Sequence, residues 1–412
     1  MTAEQCRVCG TGLEHVFVDL GMSPISNDFV AADKANAMEP FYPLRVYVCH
    51  ECWLVQLPAV QSADSIFRDD YAYFSSMSKS WLAHAKSYVD MITERFGIGA
   101  DRSVVEIASN DGYLLQYFVE RGVPVLGVEP CGNVAQAARD IGVDTVAEFF
   151  GTEFATGLVA ERAKPDLVVG NNVLAHVPDL RDFVGGLKVL LADGGVITME
   201  FPHLARLIEF NQFDTIYHEH FSYFSLLAVQ HVFSLHGLRI FDVEEIPTHG
   251  GSLRIFACHE DDNARPDSEA VAALLARERD AGLDSLDVYR AFEQQVQKTK
   301  RELLKFLISA KEAGKTVVGY GAPAKGNTLL NFCGVRSDLL DYTVDVAPIK
   351  QGTLLPGVRI PVHAPEKILE TRPDYVLILP WNIKEEIMTN MSAIREWGGQ
   401  FLVPVPEVRL LD

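Results

Sequence analysis

The sequence predicts an α/β protein in which a small four-cysteine metal module precedes two doubly wound α/β lobes. Three observations carry this expectation. Two close cysteine pairs, Cys6 with Cys9 and Cys49 with Cys52, stand before residue 53. Short apolar runs that enter polar, glycine-bearing turns and then helical patterning begin near residues 104 and 317. A chain of 412 residues with 48% hydrophobic content is also too long for one simple core, at roughly 100 to 200 residues per domain. The expected division is a metal module over 1–70 and a first α/β domain with its leading connector over 71–202. A reactive segment, a helical bridge and a second α/β domain then fill 203–412.

In the metal module, CRVC and CHEC are separated by enough chain to fold back on itself, and FYPLRVYVC reads as a strand entering the second pair. Four thiolates satisfy tetrahedral zinc without leaving a position for catalytic water, so the expected role of Cys6, Cys9, Cys49 and Cys52 is to hold a structural Zn2+. Seven cysteines in all are too sparse for a disulfide scaffold, and Cys131, Cys258 and Cys333 read as ordinary apolar positions. In the connector, Tyr71 and Tyr73 precede SSMSKSW, where their hydroxyls and Lys79 are candidates to line a substrate entrance. A helix is expected over SKSWLAHAKSYVDMITERF.

The first α/β domain opens with the strand VVEIA at 104–108 and the tight turn SNDG. The next strand, VPVLGVEP, ends in Glu129, where an acid can accept hydrogen bonds from ribose hydroxyls. Helical character over 133–141, a strand at 166–170, a helix and the strand VITMEFP follow. Ligands should gather beyond the carboxyl ends of these strands. The turn is not GxGxxG, so it does not by itself choose between cofactors that carry adenosine and ribose.

The densest reactive chemistry is YHEHFSYFS, with Tyr217, His218, Glu219 and His220 adjacent. HEHF lacks the i,i+4 histidine spacing of a zinc protease. If extended, the stretch would put Tyr217, Glu219 and Phe221 on one side and His218 with His220 on the other, and a turn would undo that sorting. His220 can take a proton near neutral pH, Glu219 can orient it or a substrate hydroxyl, and Tyr217 can donate to a developing oxyanion. His176, in NNVLAHVP, enters from the end of the fourth strand.

Beyond it, IPTHGGSLRIFA brings Arg254 to a strand, where it can meet a phosphate if it faces inward. A long helical stretch leads to TVVGYGAPAKG, a second Rossmann-like strand and turn in which Lys325 can approach a diphosphate. The turn is not GxxxxGK[ST] and does not read as a P-loop.

Taken in order, CRVC and CHEC, EIASNDG, YHEHFSYFS and VVGYGAPAKG resemble the sugar-nucleotide C-methyltransferases that methylate 4-keto-deoxysugars, over almost the whole chain. The resemblance implies a Rossmann-like domain that binds S-adenosyl-L-methionine and a second Rossmann-like domain that helps hold the nucleotide sugar. It places Asp111 and Gly112 on the methionine-side turn and Glu129 on the ribose, with Glu106, Asn110, Glu148, Phe149 and Asn171 as further cofactor contacts. It makes His220 the general base, with Tyr217, Glu219, His176 and Tyr71 around the reacting sugar, and Lys325 a contact of the nucleotide sugar, while Tyr73, Lys79 and Arg254 are candidate substrate contacts from their place in the sequence alone. The implied partner is a nucleotide-linked 4-keto-deoxysugar, dTDP-linked in the first expectation. An NAD-linked sugar-nucleotide oxidoreductase or epimerase is the alternative, and a zinc-ribbon interaction module without catalysis is the third.

Charge and hydropathy narrow the partners further. With 36 Lys and Arg against 56 Asp and Glu, the formal net charge of -20 disfavours nucleic acid. No window approaches about 18 continuous apolar residues, so no membrane association is expected. The opening MTAEQCRVCG lacks the basic and apolar stretches of a secretory leader, which points to the cytoplasm. Oligomeric state is left open, monomer included.

Overall fold

The structure, a computed structural model, describes residues 4–60 and 74–411. The chain forms two compact units, each assembled from separate stretches. The first comprises residues 1–13, 49–203 and 221–284, the second 14–48, 204–220 and 285–412.

The first unit is built on a seven-stranded sheet: β1 (Val104–Ile107), β2 (Val125–Val128), β3 (Thr145–Val146), β4 (Leu167–Asn171), β5 (Val196–Pro202), β6 (Leu238–Ile246) and β7 (Ser252–His259). Their spatial order is β6-β7-β5-β4-β1-β2-β3. β1 to β5 run parallel, while β7 is antiparallel to both β5 and β6. The interior strands are apolar runs because helices cover both faces of a parallel sheet. Helix α1 (Lys79–Phe96) starts from Ser78, whose side chain caps Trp81 N–H, and ends at left-handed Gly97. It buries Ala85, Tyr88, Val89 and Ile92 in a cluster with Phe118, Val104 and Phe256. Helix α2 (Leu180–Leu190) buries Leu180, Phe183, Val184 and Leu187 in a second cluster with Val168, Ile197 and Met199. The metal module's Cys6, Val8, Cys49 and Leu54 share that second cluster.

The sequence-based boundary at residue 202 falls inside this sheet. The hairpin of β6 and β7 pairs in register with β5, from Ser252 opposite Pro202 to Ala257 opposite Ile197, and so extends the first unit to residue 284. A boundary read from parallel βαβ units stops where the chain reverses direction, although the hydrogen-bond ladder continues.

The second unit holds a six-stranded sheet: β8 (Val317–Tyr320), β9 (Thr343–Val344), β10 (Val362–His363), β11 (Tyr375–Ile378), β12 (Gln400–Val403) and β13 (Arg409–Leu411), in the order β10-β9-β8-β11-β12-β13. This is the 3-2-1-4-5-6 order of a doubly wound dinucleotide-binding sheet, with the last strand antiparallel. Helix α3 (Leu286–Glu312) precedes it and α4 (Ala324–Cys333) follows its first turn. The strands His15–Ser23 and Tyr42–Val48 pair antiparallel in the same unit. Phe17 stacks on Phe292 of α3 with ring centroids 4.6 Å apart.

Candidate active site

The four sulfur atoms of Cys6, Cys9, Cys49 and Cys52 lie within 4.8 Å of one another, with Cys6 to Cys52 and Cys9 to Cys49 both at 3.5 Å. Tetrahedral zinc with Zn–S bonds of about 2.3 Å sets its sulfurs roughly 3.8 Å apart, so the cage fits. Each pair sits on a tight turn: Gly10 N–H returns to Cys6 O, and Trp53 N–H to Cys49 O. Hydrogen bonds from Cys49 and Cys52 hold the Cys6 thiol far below its usual range. Gln56 Nε2 also donates to Cys6 Sγ at 3.2 Å while its own oxygen accepts Arg7 N–H, an outer partner of the kind that orients a metal ligand.

The turn after β1 is more specialised than the sequence pattern suggested. Ala108, Asn110 and Gly112 all adopt positive φ, at 56°, 49° and 77°. They alternate as glycines would in a nucleotide-binding turn, with Ala and Asn in two of the places, which hid the pattern from a glycine count. Glu129, just past β2, clamps this turn: Oε2 accepts Asn110 N–H at 3.0 Å and Oε1 accepts Cys131 N–H at 2.9 Å. Asn110 Oδ1 and Asp111 Oδ2 accept the N–H groups of Ser75 and Ser76 at 2.8 and 3.1 Å, tying the turn to the start of α1. Asp111 Oδ1 and both amide atoms of Asn171, at the end of β4, are buried without a hydrogen-bond partner among the described residues. Burial drives the Glu106 carboxyl well above the usual carboxylate range and raises Glu129 as well. Glu148 and Phe149 stand exposed in the loop after β3.

Arg254 does face inward, yet its charge is taken up within the first unit. It lies opposite Glu200 and Glu244 in register and bonds them at 3.1 and 2.9 Å, and it sits over the Tyr88 ring. Burial alone would raise the Glu200 carboxyl, but His84 at 2.9 Å, Arg254 and Thr248 hold it below its ordinary value. Lys79 is exposed at the first position of α1, and half-buried His176 ends the short turn Leu174–His176. Tyr71 and Tyr73 lie outside the described residues.

In the second unit the YHEH segment is a turn, closed by His220 N–H donating to Tyr217 O at 2.9 Å. Alternation therefore does not sort it, and Tyr217 pairs with His220. The His220 Nδ1 bonds Thr215 O at 2.9 Å, and because a carbonyl only accepts, Nδ1 carries the proton. In the neutral imidazole Nε2 is then the lone-pair nitrogen and accepts Tyr217 O–H at 2.8 Å. Glu219 is 3% exposed, and burial pushes its carboxyl up to about 7 against the hydrogen bond from Asn27. Burial also lowers the His218 pKa, and its Nε2 donates to Pro43 O at 3.2 Å, which makes it part of the packing.

Lys325, in the first turn of α4, bonds Asn382 Oδ1 at 2.9 Å and lies over the Trp381 ring at 4.8 Å. Burial lowers its pKa, and the charge of Asp214 opposes that shift. Asp214, fully buried, accepts Trp381 Nε1–H at 2.7 Å, and burial pushes its carboxyl up to about 6. Asp214, Trp381 and Asn27 were missed from sequence, since none belongs to a motif and each meets its partner across the fold, and Thr215 was missed because it acts through its main-chain carbonyl, which residue type does not reveal.

Comparison with known proteins follows the same order along the chain. A model described as "Putative zinc binding domain" matches residues 6–67, "Methyltransferase domain" matches 81–243, and "C-methyltransferase C-terminal domain" matches 247–406. Among solved structures, magnesium protoporphyrin IX methyltransferase from Synechocystis PCC 6803 is similar at 12% identity and a TM-score of 0.37, covering 49% of this chain and 99% of that one. The chain is 38% identical over 411 residues to C-methyltransferase NovU of Streptomyces niveus, covering 99% of this chain and 97% of that protein. The chain belongs to the sugar-nucleotide C-methyltransferases.

This C-methyltransferase uses S-adenosyl-L-methionine, and the NAD-linked alternative is set aside. The unmet polar atoms of Asp111 and Asn171 beyond the carboxyl ends of β1 and β4 suit a polar ligand there, and the four-cysteine cage suits structural zinc. Among the described residues no helix is long and apolar enough to cross a membrane.

Proposed function

We propose that this C-methyltransferase adds a methyl group to ring carbon 3 of a nucleotide-linked 4-keto-deoxysugar, with dTDP as carrier, after base-assisted formation of an enolate. The observation that carries the reading is the tautomer of His220. Thr215 O fixes the proton on Nδ1 and turns Nε2 into a base held in reserve by Tyr217. A 4-keto group acidifies the hydrogen on the neighbouring carbon, because the electron pair left behind spreads onto the carbonyl oxygen.

When that oxygen takes the Tyr217 O–H as its hydrogen-bond donor, Nε2 is released to accept the proton from carbon 3. Tyr217, with His176 as a second donor, then stabilises the oxyanion. Glu219 orients the sugar through a hydroxyl or amino group. S-adenosylmethionine supplies an electrophilic methyl carried on a sulfonium. Glu129, Asp111, Gly112, Asn110 and Asn171 are the proposed cradle for it, with Glu148 and Phe149 on the adenine side and Glu106 behind the turn. Lys325 is retained as the diphosphate contact, with Asp214 as its counter-charge. The reaction is placed in the cytoplasm, where the metal-site thiols stay reduced.

The test incubates the enzyme and S-adenosylmethionine with a panel of nucleotide-linked 4-keto-deoxysugars and locates the added methyl by product NMR. His220→Asn should abolish both turnover and exchange of the carbon 3 hydrogen with deuterated solvent. Glu219→Gln should slow turnover. Undiminished exchange and turnover in both variants would overturn the mechanism.

A further inference from the structure

We infer that Asn27 is a positioning residue that acts in methyl transfer through the Glu219 carboxylate. It rests on the catalytic reading of Glu219 above and adds a residue that no motif contains. Asn27 Nδ2 donates to both carboxylate oxygens, at 2.9 Å to Oε1 and 2.8 Å to Oε2. A single donor shared between both oxygens fixes the position of the carboxylate head. Asn27 itself is exposed while Glu219 is buried, so the amide reaches in from the solvent side.

The two groups lie 192 residues apart in sequence, and one helix registers them. Asn327 of α4, itself buried, donates from Nδ2 to Ser26 O at 2.5 Å. Thr328, its neighbour on the same helix, donates from Oγ1 to Ile216 O at 2.9 Å. Adjacent residues of α4 thus hold the chain one residue before Asn27 and three residues before Glu219. Asn331 steadies the arrangement by donating to Asn327 O and to Pro356 O at 2.9 and 3.1 Å. The amide and the carboxylate meet because both backbones are bonded to one rigid turn, which is how a site keeps a reacting group within tight tolerance.

Steady-state kinetics of Asn27→Ala, Asn27→Asp, Glu219→Gln and the double variant Asn27→Ala/Glu219→Gln test this, with thermal melts to confirm folding. Asn27→Ala should lower kcat by roughly ten- to hundredfold, the scale of a hydrogen bond to a charged group, with KM within about twofold. Asn27→Asp keeps the shape but sets an acceptor against a carboxylate, so it should lose at least as much as alanine. The double variant should be no slower than Glu219→Gln alone, because the amide would have no further route to the chemistry. Near-normal turnover by Asn27→Asp, a cost confined to KM, or additive losses in the double variant would each overturn the inference. Wild-type turnover by Glu219→Gln would instead remove the reading beneath it, whereas an impaired Glu219→Gln beside a normal Asn27→Ala would remove this inference alone.

Discussion

The turns that follow β1 and β8 are built alike and finish differently. In each, an acid past the second strand clamps the turn with both oxygens. Glu129 accepts Asn110 and Cys131 N–H, and Asp345 accepts Ala322 and Ala347 N–H at 2.7 and 2.8 Å. After β8 the turn is further bonded and packed within the protein. Lys350 bonds Ala322 O at 3.0 Å and lies 3.6 Å from Asp345, and a methyl group added at Gly321 would run into the Pro380 ring. After β1, Asp111 Oδ1 and the Asn171 amide are left without partners among the described residues. An acid at the end of the second strand is thus a turn clamp in both units, and unmet polar atoms mark where a ligand is expected.

The comparison breaks most visibly at the clamps. Glu129→Ala should cost about 3 kcal/mol of unfolding free energy by stranding two buried N–H groups, and should weaken S-adenosylhomocysteine binding by about a hundredfold or more, read by calorimetry. Asp345→Ala should show a similar stability loss in denaturant melts with that affinity unchanged, and a matching loss of affinity would end the distinction.

A smaller effect concerns Glu219, a third buried carboxylate. Its carboxyl is raised from 4.5 to about 7, so the folded state keeps a proton that the unfolded chain has released. The stability this supplies is complete below about pH 4.5 and is lost as pH rises through 7. Glu219→Gln should therefore be more stable than wild type at pH 8 by about 3 kcal/mol, with the gain gone near pH 4.5. Smallest is Asn171→Ala, which should weaken S-adenosylhomocysteine about tenfold while leaving the melting temperature level or slightly higher, since no internal hydrogen bond is lost.

What the sequence made legible follows from locality. CRVC and CHEC, the strand and turn of EIASNDG, Glu129 at the end of its strand and the adjacency of Tyr217 with His220 are all written in short stretches. The hairpin of β6 and β7 escaped because an antiparallel return departs from the βαβ pattern. The role of YHEH as a turn escaped because periodicity describes strands and helices, whereas one main-chain bond from His220 to Tyr217 fixed it. Asp214 with Trp381, 167 residues apart, and Asn27 with Glu219 escaped because nothing in the order of residues states who meets across the fold. The ion pairs of Arg254 escaped for a related reason, since only strand register reveals that Glu200 and Glu244 stand opposite it.

The interleaving of the two units along the chain constrains engineering. The polypeptide passes from one unit to the other five times, at 13/14, 48/49, 203/204, 220/221 and 284/285. A chimaera with a relative, joined at residue 285 to exchange the carboxyl-terminal lobe, would import a sheet while leaving Asn27 and the YHEH turn behind in the parent. Moving the second unit whole would require three grafts together, residues 14–48, 204–220 and 285–412, and a gene cut at one junction would divide that unit.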